Sequence, residues 1–322
     1  MILRRIARRQ AIAGSFGQLS QQGSLSSCGL QRRALHSVPG LGDSRNSLGE
    51  YFHEHGVPGF LTRTTFRRTW TEYQQELVDK LNYETTATEH EGNSALHLHK
   101  IFSRQPERAH IYNMAAMAAF NHFWWDSLSI TKTEPSDEML GDVNEWFSSL
   151  SELRQEMLEH GEAIFGNGFV WLMQERTAGT NTGGRLRILC TYNAGSPYRD
   201  AWLLRQNRDR ATNLDPASPE AVQSRNSLLG RTPGSASLAR NQEHSLQDQL
   251  DAEPLLCLNV WQHMWVPDYG LLERGKRAYL AAWWERINWD KVQQRKEAIR
   301  QSSTGRSSGR GLNDVIRGGM RY

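Results

Sequence analysis

Three cysteines in 322 residues, Cys28, Cys190 and Cys257, form no Cys-x-x-Cys pair, which argues against a disulfide framework and against a thiolate zinc site. No apolar run approaches the roughly 20 residues that span a bilayer, so no membrane partner is expected. Acidic residues are absent from the first 42 positions. Histidine is missing between His55 and His90, and carboxylates are missing from Pro254 to Val266. No phosphate-binding glycine loop and no Ser/His/Asp nucleophile signature occurs. These gaps leave little of the usual enzymatic chemistry to look for.

What is present is enough for a real core: 38% of residues are hydrophobic, and 11 tryptophans cluster at Trp124-Trp125, Trp261, Trp265, Trp283-Trp284 and Trp289. Their plain use is large-side-chain packing. The acid-free start carries Arg4, Arg5, Arg8, Arg9, Arg32 and Arg33 among Ser, Gln and Gly. On a helix, Ile2, Leu3 and Ile6 fall opposite the first four arginines, the composition of a mitochondrial transit peptide, placed at residues 1–36 with cleavage near Ala34 to Ser37. A basic arm that binds nucleic acid is the alternative. Without those six arginines the formal net charge changes from +3 to −3, so any nucleic-acid contact must come from local patches.

Apolar residues at Phe66, Trp70, Tyr73, Leu77, Val78 and Leu81 predict a helix over 60–82, and a second is predicted over 108–128. The two make an antiparallel helical hairpin in a first domain at 37–133. Between them lies a charged, polar stretch with His90, His97 and His99. Pro135 and Ser136 mark a boundary and a helix start, and helices follow at 137–147 and 149–163. Strands are read at 165–172, 185–192 and 255–261, then helices at 275–286 and 289–301, which makes 134–301 an α/β unit. Residues 196–254 lack periodicity and read as a long irregular insertion that orders only against a partner. The basic end, with Arg295, Lys296, Arg300, Arg306, Arg310, Arg317 and Arg321, passes into a Gly/Ser-rich tail at 302–322 suited to neutralising phosphates.

Four blocks in collinear order carry a resemblance to a known family: Phe120-Asn121-His122-Phe123-Trp124-Trp125, Phe165-Gly166-Asn167-Gly168-Phe169-Val170-Trp171-Leu172, Asn259-Val260-Trp261-Gln262-His263, and Lys276 through Trp289. They are similar to the F-N-H-x-x-F-W, F-G-S-G-W-x-W-L, D-V-W-E-H-A-Y and C-terminal motifs of the iron/manganese superoxide dismutases. The resemblance implies an α+β fold, a helical hairpin followed by a small three-stranded antiparallel sheet flanked by helices. It also implies where a metal would sit. Matching the family's L-N to Leu81-Asn82 puts Thr69 at the first ligand position, with Tyr73 and Leu77 at other conserved sites of that helix. His122, Asn259 and His263 stand at the other three ligand positions, and Gln262 replaces the Glu that reaches across the family's dimer interface. A threonine hydroxyl and an amide are poor substitutes for an imidazole and a carboxylate, so these four positions read as a vestigial pocket, with no metal, no cofactor and no catalytic residue expected. The histidines of His53-Glu54-His55 and His97-Leu98-His99 lack zinc-protease spacing.

A transit peptide, a dismantled metal site and a basic tail together resemble fungal proteins of the mitochondrial small ribosomal subunit that derive from this enzyme family. The resemblance implies a structural protein of the mitochondrial matrix ribosome, in contact with rRNA and other mitochondrial ribosomal proteins. It further implies a heterodimer with a dismutase-like paralogue through a surface that includes Gln262 and His263. Candidate rRNA contacts are Arg300, Arg306, Arg310, Arg317 and Arg321. The competing reading is a divergent mitochondrial Mn/Fe superoxide dismutase.

Overall fold

A computed structural model describes residues 36–42, 48–103, 105–175, 184–198, 201 and 252–305. The transit segment, most of the insertion, and the tail with Arg306, Arg310, Arg317 and Arg321 lie outside the described residues.

The predicted first helix is one helical run in three parts: α1 at Leu48–His55 precedes it, then α2 spans Arg63–Phe66, a π-helical segment spans Arg67–Glu72, and α3 spans Tyr73–Thr85. Thr62 caps α2 through Thr65 N–H, and Asp268, far along the chain, accepts from Thr62 N (2.8 Å), Thr62 Oγ1 (2.8 Å) and Thr65 Oγ1 (2.9 Å). A carboxylate at a helix N-terminus also meets the helix dipole favourably. The polar stretch after α3 contains a helix that its sequence conceals, α4 at Ala95–Phe102, capped by Ser94 and burying Leu98, His99 and Phe102. Helix α5, Ala109–Trp125, packs on both α3 and α4, and its buried Ala115, Ala116 and Ala118 allow the close approach. Gln74 of α3 donates to Ala118 O at 2.9 Å across that seam.

Ser136 and Ser149 cap α6 (Asp137–Phe147) and α7 (Leu150–Ala163), which start within one residue of expectation. The sheet has the order β2-β1-β3, both pairs antiparallel, with β1 at Gly168–Glu175, β2 at Leu186–Tyr192 and β3 at Ala252–Asn259. β1 is central and buried on both faces, which is why its run Phe169-Val170-Trp171-Leu172 does not alternate. Gly168 is needed there: a Cβ would lie 2.3 Å from Thr191 O. Three helices follow: α8 at Gln262–Tyr269, which the sequence pattern does not announce, α9 at Glu273–Trp284 and α10 at Trp289–Gly305.

The core is largely aromatic, with Trp124, Trp125, Trp171 and Trp283 fully buried. The insertion is shorter at both ends than its composition implies. Ser196 and Tyr198 are buried, Ser196 Oγ lies 3.0 Å from His99 Nε2, and Pro254 pairs with Met173 inside the sheet.

At the N-terminal edge, His36 exchanges two bonds with Asn82: His36 N donates to Oδ1 at 2.7 Å, and Nδ2 donates to His36 O at 2.8 Å. Removal of His36 would cost both bonds. The mature N-terminus is therefore expected at or before His36, and N-terminal sequencing of the imported protein that begins beyond it would contradict this.

Candidate functional site

Thr69 sits in the π segment, 3% exposed, and its hydroxyl donates to Thr65 O at 2.7 Å, the back-bond open to a helical threonine. Its carbonyl accepts from Asn121 Nδ2 at 3.1 Å, and the same amide donates to Gln74 Oε1 at 2.9 Å. A chain of neutral amides thus ties α3 to α5 where the family implies imidazoles. Tyr73, four residues beyond Thr69, meets His263 of α8 with ring centroids 5.0 Å apart. His263 in turn lies 5.5 Å from the Trp261 ring. Asn259, the last residue of β3, is fully buried; its Oδ1 accepts from Trp261 N at 2.9 Å and its carbonyl accepts from Tyr279 Oη at 2.6 Å. Thr69, Asn259 and His263 therefore belong to one neighbourhood, joined through Tyr73 and Trp261.

His122 does not join them. It lines a cavity of about 260 Å³ bounded by α3, α5, α10 and the segment 36–39, beside Asp126 and Arg295. Burial lowers its pKa, with Asp126 and the Gly40 backbone pulling the other way. The residue bonded to Thr69 is Asn121, one position earlier and fully buried. A signal for this was present in the sequence: the family motif has Trp four residues after its ligand His, whereas Trp125 stands four after Asn121, and Asp126 four after His122. The expectation that His122 belongs to the old pocket is corrected accordingly. One residue of slip in a helix turns a side chain by about 100°.

The other sequence candidates have structural places. His99 is buried against Ser196, and His55 Nδ1 lies 3.3 Å from Tyr51 O. Among the described residues no group of three or more His, Cys, Asp and Glu could hold a metal ion. Arg295 and Lys296 are not part of a solvated basic tail: Arg295 is spent on α5 and β3, and Lys296 pairs with Asp142 at 2.5 Å and Glu138 at 3.1 Å. Arg300, half-exposed on α10, pairs with Glu138 at 3.5 Å.

Gln262 is exposed at the start of α8 and donates its backbone N–H to Asn167 Oδ1 at 3.1 Å. Asn167 O accepts from Asn193 N at 2.9 Å, so the turn before β1 is held rigidly while Phe165 stands 96% exposed on it. Tyr192, 57% exposed, is nearby in the chain trace through the Gly168–Tyr192 pairing.

Burial pulls the pKa of His263 from 6.5 down to about 4. The folded state therefore favours the neutral ring, so stability is complete above the unfolded pKa and is lost as pH falls from about 6.5 towards 4. Between pH 7.5 and 5 the loss from this residue is expected to be about 2 kcal/mol. Urea titrations at the two pH values check it: His263→Phe should flatten the dependence by that amount, and an unchanged slope would refute it.

The donor set decides what the pocket can hold. A redox-active manganese or iron ion in this fold needs imidazoles and a carboxylate. Here the hydroxyl of Thr69 and the amide nitrogen of Asn121 are committed to carbonyls, and Asn259 offers a neutral amide whose oxygen is already used. His263 is the one imidazole in the group. The residues do not fit the ion.

A helical hairpin followed by a three-stranded antiparallel sheet flanked by helices, with a metal pocket of altered residues between them, defines a dismutase-like α+β protein. The family model of the C-terminal domain of iron/manganese superoxide dismutases matches residues 135–205 and 232–295, and the chain belongs to that dismutase-like family. It is similar to two proteins of Schizosaccharomyces pombe. Small ribosomal subunit protein mS42 is 26% identical over 204 residues, covering 62% of this chain and 71% of that one. Small ribosomal subunit protein mS43 is 27% identical over 235 residues, covering 70% and 75%. The iron superoxide dismutase of Entamoeba histolytica is 23% identical over 217 residues, covering 67% and 80%.

Proposed function

We propose that this protein is a structural constituent of the mitochondrial small ribosomal subunit, a dismutase fold kept as a rigid block after its metal chemistry was lost. The observation that carries this reading is the coincidence of two facts. The chain is similar over most of its folded length to two small ribosomal subunit proteins, and the positions that bind metal in the enzymes hold Thr69, Asn121 and Asn259. A fold without its redox ion performs no dismutation, so the protein is not an enzyme. The acid-free arginine-rich start supports import into the matrix.

Two finer contacts belong to the same reading. Arg306, Arg310, Arg317 and Arg321, with Arg300 at the base, supply a cationic tail for rRNA phosphates. The exposed Gln262, beside His263 and the rigid turn bearing Phe165, supports a protein interface there, filled by a dismutase-like paralogue. Exposed aromatics on a fixed backbone lose little entropy on docking.

Sedimentation of mitochondrial lysate tests the function. Tagged protein should travel with the small subunit at moderate salt and sufficient Mg²⁺, and recovery in the light fractions alone would refute the assignment. Deletion of residues 303–322 should make that association release at lower salt, as loss of phosphate contacts requires. A divergent Mn/Fe superoxide dismutase, the alternative raised by the enzyme relatives, requires stoichiometric metal and turnover in the purified mature protein.

A further inference from the structure

Four polar atoms in and around the old pocket have no hydrogen-bond partner in the protein although each is buried: Asn121 Oδ1, Asn259 Nδ2, Trp261 Nε1 and His263 Nε2. Their neighbours fix how they can be oriented. Asn121 spends its nitrogen on Thr69 O and Gln74 Oε1, which leaves the oxygen as the group in need. Asn259 spends its oxygen on Trp261 N, which leaves the nitrogen. The amide assignments therefore follow from the bonds and are not interchangeable. An orphaned buried polar group costs about 1–3 kcal/mol, so a native fold that leaves several together needs something to satisfy them.

The set is mixed in sign. Asn259 Nδ2 and Trp261 Nε1 can only donate, Asn121 Oδ1 can only accept, and His263 Nε2 does either according to tautomer. A cation would satisfy the acceptors and be repelled by the two N–H groups. An anion would do the reverse. No formal charge resides on Thr69, Asn121, Asn259 or neutral His263, and an ion in an uncharged buried site is left without compensation. Only a small neutral molecule that both donates and accepts fits.

We propose that the position where the family keeps its metal is a buried solvent site in this protein, with ordered water bonded to Asn259 Nδ2 and His263 Nε2 and reaching Asn121 Oδ1. Water in such a site makes two to four bonds and is as much a part of the fold as a side chain. The polarity of the pocket has changed from ion-binding to water-binding, and the α3–α5–α8 junction is held through solvent.

A map of the full mature chain, alone or in its assembly, at about 2 Å tests this directly. Expected is a solvent peak within hydrogen-bond distance of at least Asn259 Nδ2 and His263 Nε2, with no anomalous signal at the manganese and iron edges. An anomalous peak overturns the proposal, and so does a dry pocket in which these side chains have rotated to bond one another. A double-mutant cycle gives a second reading: the melting-temperature losses of Asn259→Leu and His263→Phe should be clearly less than additive if one water couples them, and strict additivity overturns it. The inference stands apart from the ribosomal reading. A dry pocket would defeat it and leave the sedimentation result untouched.

Discussion

Replacing Arg295 with methionine is expected to lower the unfolding free energy by about 3 kcal/mol, read as a fall in the urea midpoint at unchanged slope. The guanidinium joins three elements. Nη1 donates to Ser127 Oγ at 2.7 Å and to Leu255 O at 3.0 Å; Nη2 donates to Phe123 O at 3.2 Å and to Asp126 Oδ2 at 3.4 Å. Its plane lies over the Phe123 ring, 3.6 Å from the centroid, and only 17% of the side chain is exposed. Methionine keeps most of the stem's packing, so the measured loss reports the polar part: a β3 carbonyl left without this donor, and Asp126 left with Lys291 alone at 3.5 Å. Lysine cannot reproduce a four-bond fork from one nitrogen and should recover only part of the loss. A methionine variant within about 0.5 kcal/mol of wild type would show that the fork is incidental.

Arg295 also shows where sequence reading stops. Its neighbours in sequence are basic and polar, so it reads as the start of a phosphate-binding tail, and nothing local records that β3 and the end of α5 pack around it. The elements that were legible are those with their own signals. Ser136 and Ser149 before acidic first turns place α6 and α7, and the Gly-rich turn at 166–168 places β1. Helix α4 was hidden because His97, His99 and Lys100 interrupt the apolar positions Ala95, Leu98 and Phe102. Helix α8 was hidden because it is only eight residues long and contains Pro267, which argues locally against helix. In the site, the loss at Thr69 and Asn259 was visible from residue type alone. The assignment of His122 was not safe, because identity of a motif's letters matters less on a helix than their spacing from Trp125.

Restoring the family's carboxylate alone, by Asn259→Asp, is expected to weaken the fold by about 2–4 kcal/mol at pH 7.5 rather than to restore a metal site. An aspartate there keeps one oxygen for Trp261 N but puts the other where a buried N–H group now stands, at a fully buried position. No cation is among its neighbours: the Thr69 hydroxyl is committed to Thr65 O, Asn121 Nδ2 is committed twice, and burial keeps His263 neutral at this pH. The added charge therefore costs desolvation without a partner. Denaturation with and without Mn²⁺, alongside metal analysis of dialysed protein, checks both halves, because an ion that bound the folded state at 100 times its Kd would return about 2.7 kcal/mol. The α5 register adds a sharper arm. Thr69→His with Asn259→Asp should still retain no metal, since His122 faces the cavity with Asp126 and Arg295; adding Asn121→His should be what raises manganese content. Metal uptake by the variant that relies on His122 would place that histidine back in the pocket and undo the one-residue shift.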